Sequence, residues 1–332
     1  MRKSYKIIGI IVVVIVTTFA FIITTKQHNN KTELKTTLIP IKIGYRAHDL
    51  YAPLFIGLEN GIFKKYGLKV EPIKFESTNQ ITDALIAGRI DASLGGVNTF
   101  LLFNIEDKSP GTFKIFSLSI EDSTHPSTAI VIPNSSTLKV SDLNNKKIAS
   151  YLGSSIKIMY ERFIKVNNLQ NTTLIQMDPK LELPALEAGQ VDAAFLLEPL
   201  VTVGNFKKIS QPLESAIFDK YFMSDIPLSA SIVSQKFINK QPEAIKQLIK
   251  ATDEAIGIIM NNPDELRKIL STYTAIDPTI ELQMPIAPFK KYNEMDKIKL
   301  QELSNLLLEL GEIKNPINTE MMILPDKYVK DN

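Results

Sequence analysis

The chain of 332 residues contains no cysteine. That excludes disulfides, thiolate metal sites, thiol nucleophiles and a lipid-modified cysteine near the N-terminus. Histidine is scarce as well. His28, His48 and His125 are the only three, too few for a His-rich metal site. Neither sign of charge predominates: 38 basic residues face 36 acidic ones, for a net charge of +2. Nothing in that balance suggests a nucleic-acid surface. Walker loop, G-x-S-x-G and H-E-x-x-H signatures are all missing, and spacing alone picks out no catalytic grouping. The expectation is a protein with no cofactor, no metal and no enzymatic activity.

What the chain does have begins with a basic start, Met1 to Lys6, followed by an uncharged Ile- and Val-rich run from Ile7 to Thr25. At 1.5 Å per residue that run spans about 28 Å, close to a hydrocarbon core of ~30 Å. Positive-inside logic keeps the first residues in the cytoplasm and exports the remainder. Thr18-Phe19-Ala20 is a poor cleavage site and more apolar residues follow it, so the run reads as an uncleaved anchor, with a cleaved signal as second choice. Lys26 onward is polar and aperiodic, a tether in which His28 has no expected role.

Two stretches match. Ala84-Leu85-Ile86-Ala87-Gly88-Arg89-Ile90-Asp91-Ala92-Ser93-Leu94 returns as Ala185-Leu186-Glu187-Ala188-Gly189-Gln190-Val191-Asp192-Ala193-Ala194-Phe195, with six of eleven positions identical. Each copy reads as the last turn of an apolar-faced helix, a glycine stop, a tight turn and a buried strand. The aspartate is expected to bond free N–H groups in the turn. Two copies about 100 residues apart predict two similar α/β lobes. The expected layout is 1–25 anchor or signal, 26–40 tether, 41–122 with 226–332 as the first lobe plus a C-terminal helical cover, and 123–225 as the second lobe.

In open α/β sheets, ligands bind beyond the carboxyl ends of the strands. Four segments qualify here: Arg46–Asp49 with Tyr51, Gly95–Thr99 read as the loop after the third strand, Gly153–Ser155, and Glu198 before Pro199. Helix N-termini suit anions. Arg46 could grip a carboxylate or sulfonate, with hydroxyls from Thr99, Ser154 and Ser155. Asp49 and Glu198 suit an amine or a ring N–H. His48, Gly96, Asn98 and Gly153 complete the candidates. Each has a structural alternative: Asn98 and Ser154 as helix caps, Gly153 as a backbone requirement, His48 as a rim residue, Arg46 as a solvated charge.

Further motifs carry a resemblance: Ala52-Pro53-Leu54-Phe55-Ile56-Gly57-Leu58-Glu59-Asn60-Gly61-Ile62-Phe63, then Leu143-Asn144-Asn145-Lys146-Lys147-Ile148-Ala149 and Gly153-Ser154-Ser155, then Phe195-Leu196-Leu197-Glu198-Pro199. Together with the duplicated stretch, these resemble the substrate-binding proteins of ABC importers for sulfonates, nitrate and taurine, and their thiamine-precursor-binding relatives, over roughly residues 41 to 260. The resemblance implies a type II periplasmic-binding-protein fold, two lobes joined by two crossovers and closing on a small-molecule ligand. It also implies delivery to a permease with a separate ATPase, an extracytoplasmic location, and a monomer held to the outer face of the membrane. The ligand class it implies is a small organic anion or zwitterion, with a thiamine-type pyrimidine as the alternative. An enzyme or a sensor domain on the same fold is the rival. Exported relatives often carry a lipid-modified cysteine, which this chain lacks.

Overall fold

The computed structural model describes residues 38–274 and 276–329, and only the backbone at Ser154. The expected anchor over Ile7–Thr25 and His28 lie outside the described residues. Among the described residues, no helix is long and apolar enough to cross a membrane.

In chain order the strands are β1 (Ile39–Tyr45), β2 (Leu68–Lys74), β3 (Ala92–Asn98), β4 (Phe113–Glu121), β5 (Thr128–Pro133), β6 (Lys147–Tyr151), β7 (Thr173–Met177), β8 (Ala193–Leu197), β9 (Ser210–Ser215), β10 (Ile226–Ser234) and β11 (Phe289–Lys290). They form two sheets, β11-β4-β10-β3-β1-β2 and β7-β6-β8-β5-β9. β1 lies parallel between β2 and β3, and β6 lies parallel between β7 and β8. In each sheet an antiparallel strand follows: β10 beside β3, β5 beside β8. The two sheets therefore repeat one plan, and the matched stretches occupy equivalent places in it.

The repeated aspartates show why the stretch recurs. The Lys42 N–H donates to Asp91 Oδ2 at 2.8 Å and the Lys147 N–H to Asp192 Oδ2 at 2.9 Å. In return the Asp91 and Asp192 N–H groups donate to the Lys42 and Lys147 carbonyls, each at 2.8 Å. Each aspartate thus fixes the start of its strand against the neighbouring parallel strand, not the N–H groups of its own turn as expected. Gly88 (φ 74°) and Gly189 (φ 67°) end the preceding helices in the left-handed conformation that glycine adopts without steric cost.

Local rules account for the helix starts. Ser77 accepts the Gln80 N–H, Asn98 the Leu101 N–H, and Asp296 the Ile298 and Lys299 N–H groups. Pro242 opens the twenty-residue helix Pro242–Asn261, whose buried face packs on the helix Ala52–Glu59. β1 begins at Ile39, ahead of the expected Ile41, because the Ile39 N–H finds the Gly67 carbonyl at 2.8 Å. The C-terminal segment closes the first sheet: β11 pairs with β4, and the Leu324 N–H donates to the Ile115 carbonyl at 2.9 Å.

The chain leaves the first sheet after β4 and re-enters it with β10. At the point of exit Glu121 is fully buried. Its Oε1 accepts from the Ser127 N–H (2.8 Å) and the Thr128 hydroxyl (2.7 Å). Its Oε2 accepts from the Phe218 and Asp219 N–H groups at 3.1 and 3.3 Å.

Asp91→Ala and Asp192→Ala should each cost about 1–3 kcal/mol, the loss of a bonded partner for a strand N–H. Because the sites lie in different sheets, the double variant should be additive to within about 0.5 kcal/mol. Urea unfolding measures both. A variant as stable as the parent would remove the aspartate from this role.

Candidate functional site

Four loops meet the carboxyl ends of the parallel strands: those after β1 and β3 in one sheet, and those after β6 and β8 in the other. After β1 the chain makes the 3-10 turn Asp49–Tyr51, capped by His48, whose Nδ1 accepts the Leu50 N–H at 3.3 Å. The same Nδ1 lies 2.7 Å from Asp49 Oδ1. Asp49 Oδ1 is buried and has no hydrogen bond of good geometry.

Glycines let this turn dock. Gly95 has φ 85°, and a Cβ on it would stand 2.2 Å from the Leu50 carbonyl oxygen. A Cβ on Gly96 would stand 2.3 Å from the Tyr51 ring. Both glycines lie inside β3, which continues to Asn98, so the expected Gly95–Thr99 loop is strand up to its last residue. The reason is on the neighbouring strand. β10 shifts register between Ala230 and Ile232, and serine hydroxyls replace the missing ladder bonds. The Gly95 N–H donates to Ser231 Oγ (2.8 Å), and Ser229 Oγ donates to the Gly95 carbonyl (2.6 Å). Ser117 Oγ donates in turn to Ser231 Oγ at 2.5 Å. Sequence reasoning did not find these serines, since isolated serines within apolar strands carry no signal.

Several candidate side chains have structural partners. The Tyr51 hydroxyl donates to the Gly96 carbonyl at 3.0 Å and the ring is buried. Burial pushes its phenol above the ordinary range, against the charge of nearby Arg46. The Thr99 hydroxyl is buried and donates to the Pro227 carbonyl at 2.6 Å. Asn98 caps the helix Thr99–Lys108. Arg46 and His48 are half-buried.

In the other sheet, Gly153 (φ 156°) leads into the helix Ser154–Val166. Gln176 Nε2 donates to both the Tyr151 and Gly153 carbonyls at 3.2 Å, which fixes this loop. Ser155 is half-buried, and its hydroxyl works against the rise that burial gives the Tyr151 phenol. Glu198 follows β8 across a cis bond to Pro199. Its Oε2 accepts the Thr202 N–H at 3.1 Å and its Oε1 the Thr202 hydroxyl at 3.0 Å. Burial raises it to about 7. The Thr202 contacts work against that rise, and the charge of Asp49 adds to it. Two of the sequence candidates, Asp49 and Glu198, are thus buried carboxyls of opposite sheets, and the charge of Asp49 acts on Glu198.

Glu182, in the first turn of the helix Pro179–Glu187, was not foreseen; in sequence it looks like any solvated helix charge. It is buried, and neither of its carboxyl oxygens has a hydrogen-bond partner.

Two predictions follow from this geometry. Gly95→Ala should push the Asp49–Tyr51 turn off β3 and lower stability by about 1–3 kcal/mol, the cost of a strained backbone, read by urea unfolding. The second concerns pH. Burial raises Glu121 and Glu198 to about 7, Glu182 to about 8 and Asp253 to about 6. A carboxyl raised in the folded state binds its proton more tightly there than in the unfolded chain. Its contribution is therefore present at low pH and is lost as pH climbs from the unfolded value to the folded one. Carboxylates held low, such as Asp122 at about 2, lose their contribution only below the ordinary range. Melting temperature should peak near about pH 5 and fall towards about pH 8. A calorimetric profile that rises over that interval would contradict these burials.

Residues 35–273 match the model of the NMT1-like family. A candidate binding protein of Brucella abortus (strain 2308) is 24% identical over 305 residues, 87% of this chain and 92% of its own length. A candidate aliphatic sulfonates-binding protein of Bacillus subtilis (strain 168) is 26% identical over 236 residues, 69% of this chain and 68% of its own. These relatives are named as binding proteins. Among solved structures, the periplasmic aliphatic sulphonate binding protein SsuA of Escherichia coli superposes with a TM-score of 0.70 at 16% identity, covering 87% of this chain and 99% of that one. The fold is therefore that of the periplasmic binding proteins, two α/β lobes joined by two crossovers, as the sequence motifs led one to expect. The matched span covers most of the chain, and the chain belongs to the NMT1-like family.

Proposed function

We propose that this chain is the extracytoplasmic solute-binding component of an ABC-type importer, closing on a small organic anion or zwitterion of the sulfonate, taurine and nitrate class. It binds its solute unchanged, as a monomer without cofactor, and hands it to a permease driven by a separate ATPase. The N-terminal segment holds it to the outer face of the cytoplasmic membrane. The names of the relatives support the transport reading.

The observation that carries the ligand class is the pair Asp49 and Glu198. Each is buried on its own lobe, and Asp49 is close enough for its charge to raise Glu198. Two carboxyls brought together by closure repel unless one is protonated or a donor lies between them. A solute with an ammonium or N–H group supplies that donor only in the closed form. This differential affinity is what shifts the lobes towards closure. Arg46 and the N-termini of the helices Thr99–Lys108 and Ser154–Val166 suit the anionic end. Together these groups favour a zwitterion over a simple anion. An amino-pyrimidine is the second reading, since its amino group would satisfy the same two carboxyls.

The test is a melting panel of taurine, alkanesulfonates, nitrate and amino-pyrimidines. A solute at 100 times its dissociation constant adds about 2.7 kcal/mol to the folded state, a rise of several degrees. Taurine affinity should fall as pH drops from about 8 to about 6, because protonating Glu198 removes the counter-charge. Glu198→Gln should weaken taurine about tenfold or more and abolish that pH dependence. Parent-like affinity in this variant would take Glu198 out of the site.

A further inference from the structure

The chain passes between its two lobes after β4 and again before β10, and the lobes also meet at a contact that these crossovers do not require. The segment that makes it follows the helix Pro242–Asn261 and is moored to the first lobe at both ends. At one end the Tyr273 ring stacks on Phe55 at 4.3 Å, and its hydroxyl donates to Glu59 Oε1 at 2.7 Å. At the other, Arg267 Nη2 donates to the Met284 carbonyl at 3.3 Å, and the Ile120 N–H donates to the Pro288 carbonyl at 3.0 Å.

Between the moorings lies a single helical turn, Pro278–Glu281. Asp277 starts it by accepting the Thr279 N–H at 2.8 Å and the Thr279 hydroxyl at 2.6 Å, and proline takes the first position. This turn packs against the helix Leu200–Phe206 of the second lobe, and Ile280 within it is buried. The bonds from Thr279 hold the Asp277 carboxyl below the ordinary range, and the charge of Lys207, at the end of the second-lobe helix, adds to that.

The helix that receives the turn is fixed to its own lobe. It follows Glu198-Pro199 directly, and Glu198 accepts both donors of Thr202. Leu200, Val201 and Val203 pack on the apolar cluster of the second sheet. A Cβ on Gly204 would stand 2.2 Å from Ser210 Oγ, so the helix also lies close against β9. Whatever displaces this helix displaces Glu198 with it.

We propose that residues 276–287 form a clasp between the lobes, whose grip on the helix Leu200–Phe206 sets how far the second lobe stands from the first before any solute arrives. This rests on the reading of the chain as a protein that closes on its solute, and it adds a control on that closure. A contact shared by two bodies favours the arrangements in which it is intact. Here it is intact in the arrangement where the charge of Asp49 acts on Glu198. The clasp thus raises the share of molecules ready to bind, and apparent affinity scales with that share.

The experiment uses Ile280→Ala and Lys207→Glu in the full chain. Because the chain has no cysteine, Lys69→Cys in the first lobe and Glu187→Cys in the second, both exposed positions, take spin labels at those two points alone. Double electron–electron resonance then measures the distance between the lobes without ligand. Both variants should lengthen and broaden the distribution. Lys207→Glu should do so by the smaller amount and only at low salt, since it sets a like charge against an exposed Asp277. It leaves the clasp's own residues untouched, so it still reports if Ile280→Ala loosens the C-terminal segment. Taurine affinity should fall about threefold or more in Ile280→Ala, measured by calorimetry. A distribution that stays like the parent's in either folded variant overturns the clasp. Parent-like taurine affinity beside a lengthened distance overturns its control of binding. A parent that ignores taurine removes that solute and not the clasp, which the distances alone decide.

Discussion

One carboxylate sits where the chain passes between its two sheets. Glu121 ends β4 with no exposure to solvent, and it accepts donors from the start of β5 and from the helix Ile217–Tyr221 that precedes the return strand. Both crossovers are thereby tied to a single side chain. The donors of each crossover bond a different oxygen, so the two connections are held by one bonded group and are not slack chain. Phe100, next to the candidate loop of the first lobe, packs edge-on against Phe218 and Phe222 on the same return path. This junction is thus part of the packed core.

Around that junction the candidate site is built from backbone more than from side chains. The Asp49–Tyr51 turn reaches its place because Gly95 and Gly96 have no Cβ, and Gly95 is held by serines from β10. The carboxyls near these strand ends are buried: Asp49 in one lobe, Glu198 and Glu182 in the other. Burial keeps the second pair above the ordinary carboxylate range.

Much of the plan was legible in the residues. The duplicated helix, glycine and aspartate pattern located equivalent corners of both sheets, and Ser77, Asn98, Pro242 and Asp296 announced their helices through ordinary capping chemistry. Less legible were features that depend on a distant strand. Gly95-Gly96 looks like a loop by local propensity, yet it is strand because β10, over 130 residues later, supplies the missing bonds. β9, with Pro212 within it and little alternation, carried no strand signal. Glu182 and the serines of β4 and β10 are ordinary letters whose meaning lies wholly in what surrounds them.

The sheet topology has a consequence for how the molecule is made. The strands of the second sheet run without interruption from Thr128 to Ser215, so all of their pairings become available as soon as that span has emerged from the ribosome. The first sheet has no such luck. Its central strand β10 arrives after the whole of the second sheet, and its edge waits for residues 289–324. During synthesis, therefore, β3 lacks one neighbour and β4 lacks both while a later segment already has everything it needs. A chain of this topology completes its middle before its beginning, and the segment at risk of mispairing is the one synthesised first.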